Sequence, residues 1–105
     1  MPAYWLARAR IDDPVEYKKY AEQVPKIIAD YSGKILARGG KFKVLEGTER
    51  FTRFVVIEFA TLEQAVACHD SPAYQAASEF RKRAGVGEVE LAIVEALAPP
   101  GLRPA

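Results

Sequence analysis

His69 is the only histidine of the chain and the first candidate for chemistry. Its place on the apolar face of a predicted helix, one turn from a cap at Ser71, would suit a general base or a ligand for metal or haem. The alternative, which we favour, is a packed side chain hydrogen-bonded to a backbone carbonyl. Cys68 is adjacent and points about 100° away around the helix, and a stable metal site would need further ligands. The sequence therefore predicts no metal site.

Glu58 and two arginines form the second candidate group. Glu58 lies inside the most apolar predicted strand, where a carboxylate must be neutralised, hydrogen-bonded or solvated. Arg38 and Arg53 lie on the neighbouring strand or the same one. A buried ion pair that holds the sheet or an interface together is the favoured interpretation, and a ligand-facing acid is the alternative. Strand alternation leaves open which face of the sheet Glu58 occupies.

An aromatic set completes the candidates, and it consists of Trp5, Tyr17, Tyr20, Tyr31 and Tyr74. These residues either line an apolar cavity between helices and sheet, where hydroxyls orient a ligand, or pack in the core. Interruptions of the helices at Pro25 and Asp70 favour a cavity, because an interrupted helix cannot seal tightly against a sheet. The predicted ligand site draws on all three groups and comprises Tyr20, Arg38, Glu58, His69 and Tyr74.

Composition excludes several classes of function. The chain has 15 basic and 14 acidic residues, and its formal net charge of +1 creates no overall field for nucleic acid or anionic lipid. The basic run Arg81-Lys82-Arg83 complements a helix dipole and lacks the aromatic residues of a nucleic-acid platform. A single cysteine cannot form an internal disulfide, and no apolar run suits a membrane span or a signal peptide. We expect a cytoplasmic protein that contacts neither nucleic acid nor membrane.

These residues are positioned by four predicted strands and two predicted helices in one domain over residues 1–97. The chain has 105 residues, half of them hydrophobic, which is enough for a single core. Helix caps are predicted at Asp13, Thr61 and Ser71. The first half contains a strand over Ala3–Ile11, a helix from Pro14 that Pro25 interrupts, and a strand from Lys34 to about Leu45, in which Gly39-Gly40 indicates either a bulge or a close approach of another backbone. The second half contains a strand over Phe51–Phe59, a helix from Thr61 that breaks at Asp70 and resumes at Pro72, a strand over Glu88–Leu97, and a proline-rich tail over 98–105.

The order β-α-β-β-α-β predicts an α+β ferredoxin-like fold. Right-handed crossovers place both helices on one face of a four-stranded antiparallel sheet, with the first and third strands in the middle. The first strand carries apolar residues on both faces, Trp5 and Ile11 on one and Tyr4 and Leu6 on the other. The open face is therefore too apolar to remain in water. We expect a second copy to cover it, which gives a homodimer with sheet packed on sheet.

Four segments of the chain resemble an uncharacterised family, the proteins with domain of unknown function 1330. The segments are Ala37-Arg38-Gly39-Gly40, Val44-Leu45-Glu46-Gly47, Arg53-Phe54-Val55-Val56-Ile57-Glu58-Phe59 and Ser71-Pro72-Ala73-Tyr74-Gln75, and the resemblance runs from about residue 2 to residue 97. It implies a dimeric α/β barrel, similar in fold to cofactor-independent monooxygenases, haem-degrading enzymes, muconolactone isomerases and chlorite dismutases. It implies no agreed activity. The family usually has aromatic residues just before the Ser-Pro motif, where this chain has Cys68 and His69.

Three functional hypotheses follow. The leading one is a small-molecule binding protein without a cofactor, whose ligand lies between the helices and the sheet. As an enzyme, the protein would catalyse cofactor-independent oxygenation or isomerisation of a small aromatic or lactone-like substrate, with His69 or Glu58 moving the proton. The third hypothesis is a structural or interaction protein whose interior is fully packed.

Overall fold

The computed structural model describes residues 1–98, which form four strands and four helices. In chain order these are β1 Ala3–Ile11, α1 Pro14–Ala21, α2 Val24–Asp30, β2 Lys34–Arg38, β3 Arg53–Phe59, α3 Leu62–Asp70, α4 Pro72–Lys82 and β4 Gly87–Glu95. Apart from Ala98, the predicted tail lies outside the described residues. The strand predicted over Ala3–Ile11 is confirmed.

The four strands form one antiparallel sheet in the order β2-β3-β1-β4. Strands β1 and β3 occupy the middle, as the crossover argument predicts. In the central pair, Trp5 lies opposite Ile57 and Ala9 lies opposite Arg53. The predicted ferredoxin-like α+β fold is confirmed.

Local capping signals set where three of the helices begin. The side chains of Asp13, Thr61 and Ser71 each accept a hydrogen bond from the backbone N–H three residues later, at 3.1, 3.0 and 3.2 Å. Each cap satisfies one of the free N–H groups of the first turn. All three predicted caps are confirmed.

Both predicted helix interruptions are also present. The first helix ends at Ala21, and α2 begins at Val24 with Pro25 in its first turn, where the missing N–H costs little. The second predicted helix ends at Asp70, and α4 begins at Pro72. Each helical crossover therefore consists of two short helices rather than one continuous helix.

The core lies between the helices and one face of the sheet. Alternate residues of the central strands are almost fully buried there, among them Trp5, Ile57 and Phe59. The helices contribute Ile28 and Tyr74, which are equally inaccessible. Burial of these side chains against the sheet is the main stabilising contribution of the helices.

The second strand is shorter than the sequence predicts. It ends at Arg38 instead of about Leu45, and residues 39–52 form no helix or strand. Gly39 has a φ of +65°, in the left-handed region, and its N–H bonds the Phe54 carbonyl at 3.1 Å before the chain leaves the sheet. The register irregularity lies between Ile35 and Ala37 rather than at Gly39-Gly40.

Two further strand bounds differ from their predictions. The third strand begins at Arg53 rather than Phe51, although the Thr52 N–H still bonds the Ala9 carbonyl at 2.9 Å. The fourth strand runs over Gly87–Glu95 rather than Glu88–Leu97. Differences of this size arise where pairing frays at strand ends.

The sheet face opposite the helices is open in the chain. Leu6 is 43% exposed there and Val94 51%. Charged residues flank this apolar area and pair across the strands, as Arg8 does with Glu90 at 2.6 Å. In the part of the chain that the structure describes, no helix is long and apolar enough to cross a membrane.

Candidate functional site

A cleft between α1, α2 and the sheet is the candidate site, and its inner part is a small cavity. The cavity has a volume of about 30 Å³. A single water needs roughly 10–15 Å³ measured in this way, so the inner cavity has room for one or two waters. Its lining is Trp5, Ala7, Arg8, Ala9, Tyr17, Tyr20, Ala21, Val24, Ile35, Arg38, Arg53, Val55, Ile57 and Val89.

The outer part of the cleft is an open hollow along α1. Its volume is about 390 Å³. Four residues, Tyr17, Ala21, Arg38 and Arg53, line both the hollow and the inner cavity. The remaining lining of the hollow is Ile11, Pro14, Lys18 and Glu22. The two spaces are therefore parts of one cleft. We call the boundary between them, which these four residues line, the neck of the cleft, and two of its four residues are arginines.

Arg53 is held at this neck by its neighbours. It lies opposite Ala9 in the register, on the helix-covered face of the sheet. A Cβ atom at Gly39 would lie 2.6 Å from Arg53 Nη1, so the guanidinium fills the space that this glycine leaves. The guanidinium carbon lies 5.8 Å from the centre of the Tyr17 ring. Nε of Arg53 is buried and has no hydrogen-bond partner within residues 1–98.

Arg38 reaches the same neck from β2. It lies opposite Val55 in the register, and its Nη2 donates a hydrogen bond of 2.7 Å to the Ala21 carbonyl. That carbonyl belongs to the last turn of α1, where backbone acceptors lack partners within the helix. Arg38 therefore links β2 to the end of α1.

A buried tyrosine pair lies beside the inner cavity. The hydroxyl oxygens of Tyr20 and Tyr74 are 2.8 Å apart, and Arg81 Nη2 donates to the Tyr74 oxygen at 3.3 Å. Burial, reinforced by the Tyr74 hydroxyl, raises the pKa of Tyr20 far above its usual value. Burial also raises the pKa of Tyr17, and the positive charge of Arg53 opposes that shift. Tyr17 and Tyr20 therefore stay neutral and serve as hydrogen-bonding groups.

Arg81 is buried without a carboxylate. It is 9% exposed, its guanidinium carbon lies 5.1 Å from the centre of the Tyr20 ring, and its Nε has no hydrogen-bond partner among the described residues. The ring face and the Tyr74 oxygen supply the negative electrostatic potential that the cation needs. Arg81 thus supports the tyrosine pair from behind the cleft.

His69 lies outside the cleft. Its ring packs near Trp5 and Tyr74, with centroid separations of 5.9 and 5.4 Å, and Nδ1 lies 2.8 Å from a carboxylate oxygen of Asp70. The ring is therefore bonded to a side chain, and not to a backbone carbonyl as we favoured from the sequence. The hollow that His69 does line is a separate one between α3 and β4.

Glu58 lies on the opposite face of the sheet from the cleft. Its register partners on either side are Tyr4 and Lys34. Arg53 is five positions away in the same strand and so faces the helices, as Arg38 does. The predicted ion pair between Glu58 and these arginines is therefore wrong. Within residues 1–98, Glu58 forms no ion pair.

The predicted site residues thus divide into three places. The structure brings together Tyr20, Tyr74 and Arg38 in or behind the cleft, while His69 and Glu58 lie elsewhere. Sequence reasoning did not assign Arg53 to the ligand site. The signal was available, because Arg53 shares its strand face with Val55, Ile57 and Phe59, and a basic residue in a buried row needs an explanation.

The described residues provide little other reactive chemistry. No group of three or more His, Cys, Asp or Glu side chains within residues 1–98 is arranged to hold a metal ion. Burial raises the pKa of the Cys68 thiol to about 11, so little thiolate forms at neutral pH. The arrangement at the cleft can bind and orient a molecule through hydroxyl and guanidinium groups.

Several solved structures that are similar to this chain belong to proteins of unknown function. A protein of unknown function from Rhodopseudomonas palustris has a TM-score of 0.72 and 21% identity, covering 93% of this chain and 84% of that one. A dimeric ferredoxin-like protein of unknown function from Jannaschia sp. CCS1 has a TM-score of 0.66 and 15% identity, covering 91% and 100%. SnoaB, a cofactor-independent oxygenase from Streptomyces nogalater, has a TM-score of 0.61 and 11% identity, covering 94% and 96%. At these identities the similarity establishes the fold.

The sequence itself matches a family. No characterised protein matches it significantly. The family model for domain of unknown function 1330 matches residues 2–97, a range that contains every described strand and helix. The resemblance drawn from four short segments is thereby confirmed. Over residues 2–97, this chain belongs to the DUF1330 family.

Proposed function

We propose that this protein binds a small organic molecule in the cleft between α1, α2 and the sheet. The observation that carries the proposal is the continuity of the cleft, since Tyr17, Ala21, Arg38 and Arg53 line both of its parts. The inner walls are largely apolar. Ligand sites characteristically combine apolar walls with a few placed polar groups, which here are the tyrosine hydroxyls and the guanidinium groups.

The sizes of the two parts limit the ligand. The outer hollow, at about 390 Å³, is as large as a pocket for a small organic molecule, roughly 300–1,000 Å³. The inner cavity, at about 30 Å³, has space for a small substituent. We therefore propose a ligand whose ring lies in the outer hollow and whose short substituent extends toward Tyr20.

We place binding ahead of catalysis because the two groups expected to move a proton lie outside the cleft. His69 lines a different hollow, and Glu58 faces the opposite side of the sheet. SnoaB is described as a cofactor-independent oxygenase, and it shares the fold at 11% identity. Oxygenase activity therefore remains the second candidate, and oxygen consumption with a bound aromatic compound would be its test.

We also propose that a second copy of the chain covers the open face of the sheet. Leu6 and Val94 expose apolar surface there, and Arg8 and Glu90 provide charges of both signs beside it. In a two-fold symmetric dimer the same face of both copies meets, so apolar surface would pack on apolar surface and charges of opposite sign could pair. Two structural neighbours are described as dimeric. Cytoplasmic localisation stays a prediction from the sequence.

The binding proposal is tested by NMR titration of ¹⁵N-labelled protein with benzyl alcohol, a neutral ring-sized probe. We expect the amide signals of Ala21, Val24 and Ile35 to shift. Ala21→Trp should abolish the shifts by filling the neck of the cleft, whereas Ala29→Trp, at an exposed position of α2, should preserve them. Shifts confined to the hollow beside His69, or absence of cleft shifts with both benzyl alcohol and benzoate, would contradict the proposal.

A further inference from the structure

We propose that the ligand of this cleft carries a carboxylate, and that Arg53 is the residue that binds it, assisted by Arg38. The inference rests on the proposed function, because it names the chemical class that the same cleft accepts. It adds a residue that the sequence interpretation did not assign to the ligand site.

The first step is the contrast among the arginines of the described residues. Four of them pair with a carboxylate inside the chain, and these are Arg8, Arg10, Arg50 and Arg83. Arg38, Arg53 and Arg81 form no ion pair within residues 1–98. Arg81 lies behind Tyr20, and the other two line the neck of the cleft. Two of the three unpaired arginines therefore lie where a ligand would enter.

The second step is the state of the Arg53 side chain. It is only partly exposed, and its Nε is buried without a hydrogen-bond partner in the described part of the chain. A buried donor that lacks a partner costs free energy, and a charged one costs more. The guanidinium fills the space beside Gly39 and lies near the Tyr17 ring, so its position is already constrained before a ligand arrives. Pre-oriented donors lose little entropy on binding.

The third step is the balance of charge at the outer hollow. Lys18, Arg38 and Arg53 are cationic, whereas Glu22 supplies the single carboxylate of the lining. Glu22 lies 3.7 Å from Lys18, which leaves the two arginines as the excess positive charge. Arg38 is exposed and Arg53 is partly buried, and this excess positive charge beside apolar walls favours an anion on the incoming molecule.

The fourth step distinguishes a carboxylate from a phosphate. Arg38 already donates through Nη2 to the Ala21 carbonyl, so Arg53 is the guanidinium with a free buried donor. One guanidinium fork matches the two oxygens and the single charge of a carboxylate. A doubly charged phosphate would need further donors, and apart from the Tyr17 hydroxyl those in the described lining belong to the exposed side chains of Lys18 and Arg38.

The test compares two probes of the same size at pH 7, benzoate and benzyl alcohol, by the same NMR titration. Wild-type protein should bind benzoate at least about tenfold more tightly than benzyl alcohol, as expected for a charge-assisted hydrogen bond. Arg53→Met should remove this preference, and Arg53→Lys should retain part of it, because the charge remains without the fork. Arg83→Met is the matched control: it removes an equal charge from an exposed ion pair and should leave the preference intact.

Each outcome of the two titrations supports or contradicts the carboxylate inference. Equal affinity of the cleft for both probes would overturn the carboxylate inference and leave the proposed binding function standing. A benzoate preference that survives in a folded Arg53→Met protein would also overturn it. Absence of cleft shifts with both probes would refute the proposed function and this inference together. If Arg53→Met fails to fold, the Arg53→Lys protein provides the test. Benzoate affinity equal to that of the wild type in folded Arg53→Lys would contradict the inference, which requires two parallel hydrogen bonds from the guanidinium to the carboxylate.

Discussion

The Tyr20 and Tyr74 hydroxyls form a hydrogen bond of 2.8 Å that joins α1 to α4 next to the cleft. Tyr74 also accepts from Arg81 at 3.3 Å, so it is the middle of a chain of three side chains, whereas Tyr20 is one end. Loss of the middle hydroxyl leaves two buried groups without this partner. Loss of the end hydroxyl leaves the bond between Tyr74 and Arg81 in place.

We therefore expect Tyr74→Phe to destabilise the protein more than Tyr20→Phe does. The expected losses in free energy of unfolding are about 3 kcal/mol and about 1 kcal/mol, because an unsatisfied buried charge costs more than a lost neutral bond. Urea unfolding at one fixed protein concentration measures both values. Equal losses would show that Arg81 does not depend on Tyr74.

Gly39→Ala should weaken both the fold and the Arg53 site. The new Cβ would meet Arg53 Nη1, and the φ of +65° disfavours any side chain. We expect a loss of about 1–2 kcal/mol in free energy of unfolding and weaker binding of benzoate. Gly40→Ala is the matched control, since a Cβ there has no neighbour within 4 Å. Comparable effects of the two substitutions would contradict this role of Gly39.

Leu6→Asp should separate the proposed dimer. Leu6 lies on the open face, and an aspartate there would be buried without a partner on association. Sedimentation equilibrium should show a dissociation constant raised by at least about tenfold. Val15→Asp adds the same charge at a position that is 72% exposed on α1 and should leave the constant unchanged. A wild-type protein that is monomeric at micromolar concentration would contradict the proposal before any variant is made.

Cys68 should resist alkylation in the folded protein. Burial raises its pKa from 9.0 to about 11, so the thiolate fraction at pH 8 falls about 100-fold. Reaction with iodoacetamide should therefore be at least about 100-fold slower in buffer than in urea. As the pH rises, the thiol ionises first in the unfolded chain, because its pKa is lower there than in the folded protein. Its contribution to the free energy of unfolding is therefore complete below pH 9 and is lost between pH 9 and about 11. Similar rates in both solvents would mean that Cys68 is accessible.

Much of the fold was determined by local signals in the sequence. The caps at Asp13, Thr61 and Ser71 depend on bonds that span three residues, and the alternation along Ala3–Ile11 identified a central strand. The strand predicted over residues 39–45 is absent. The sequence there still favours a strand, but no neighbouring strand pairs with it. A strand needs a neighbour for its hydrogen bonds, and which segment supplies one is a property of the whole chain.

The site depended on tertiary structure to a greater degree. The register irregularity between Ile35 and Ala37 puts Arg38 on the helix-covered face, whereas unbroken alternation from Lys34 would have placed it on the open face, which Glu58 occupies. The sequence by itself determined which side chains are available for chemistry, the order of the strands and helices, and the apolar character of the open face. Tertiary structure alone decided that Arg38 and Arg53 meet at one cleft while Glu58 and His69 lie outside it, because side-chain direction follows from pairing between segments distant in sequence.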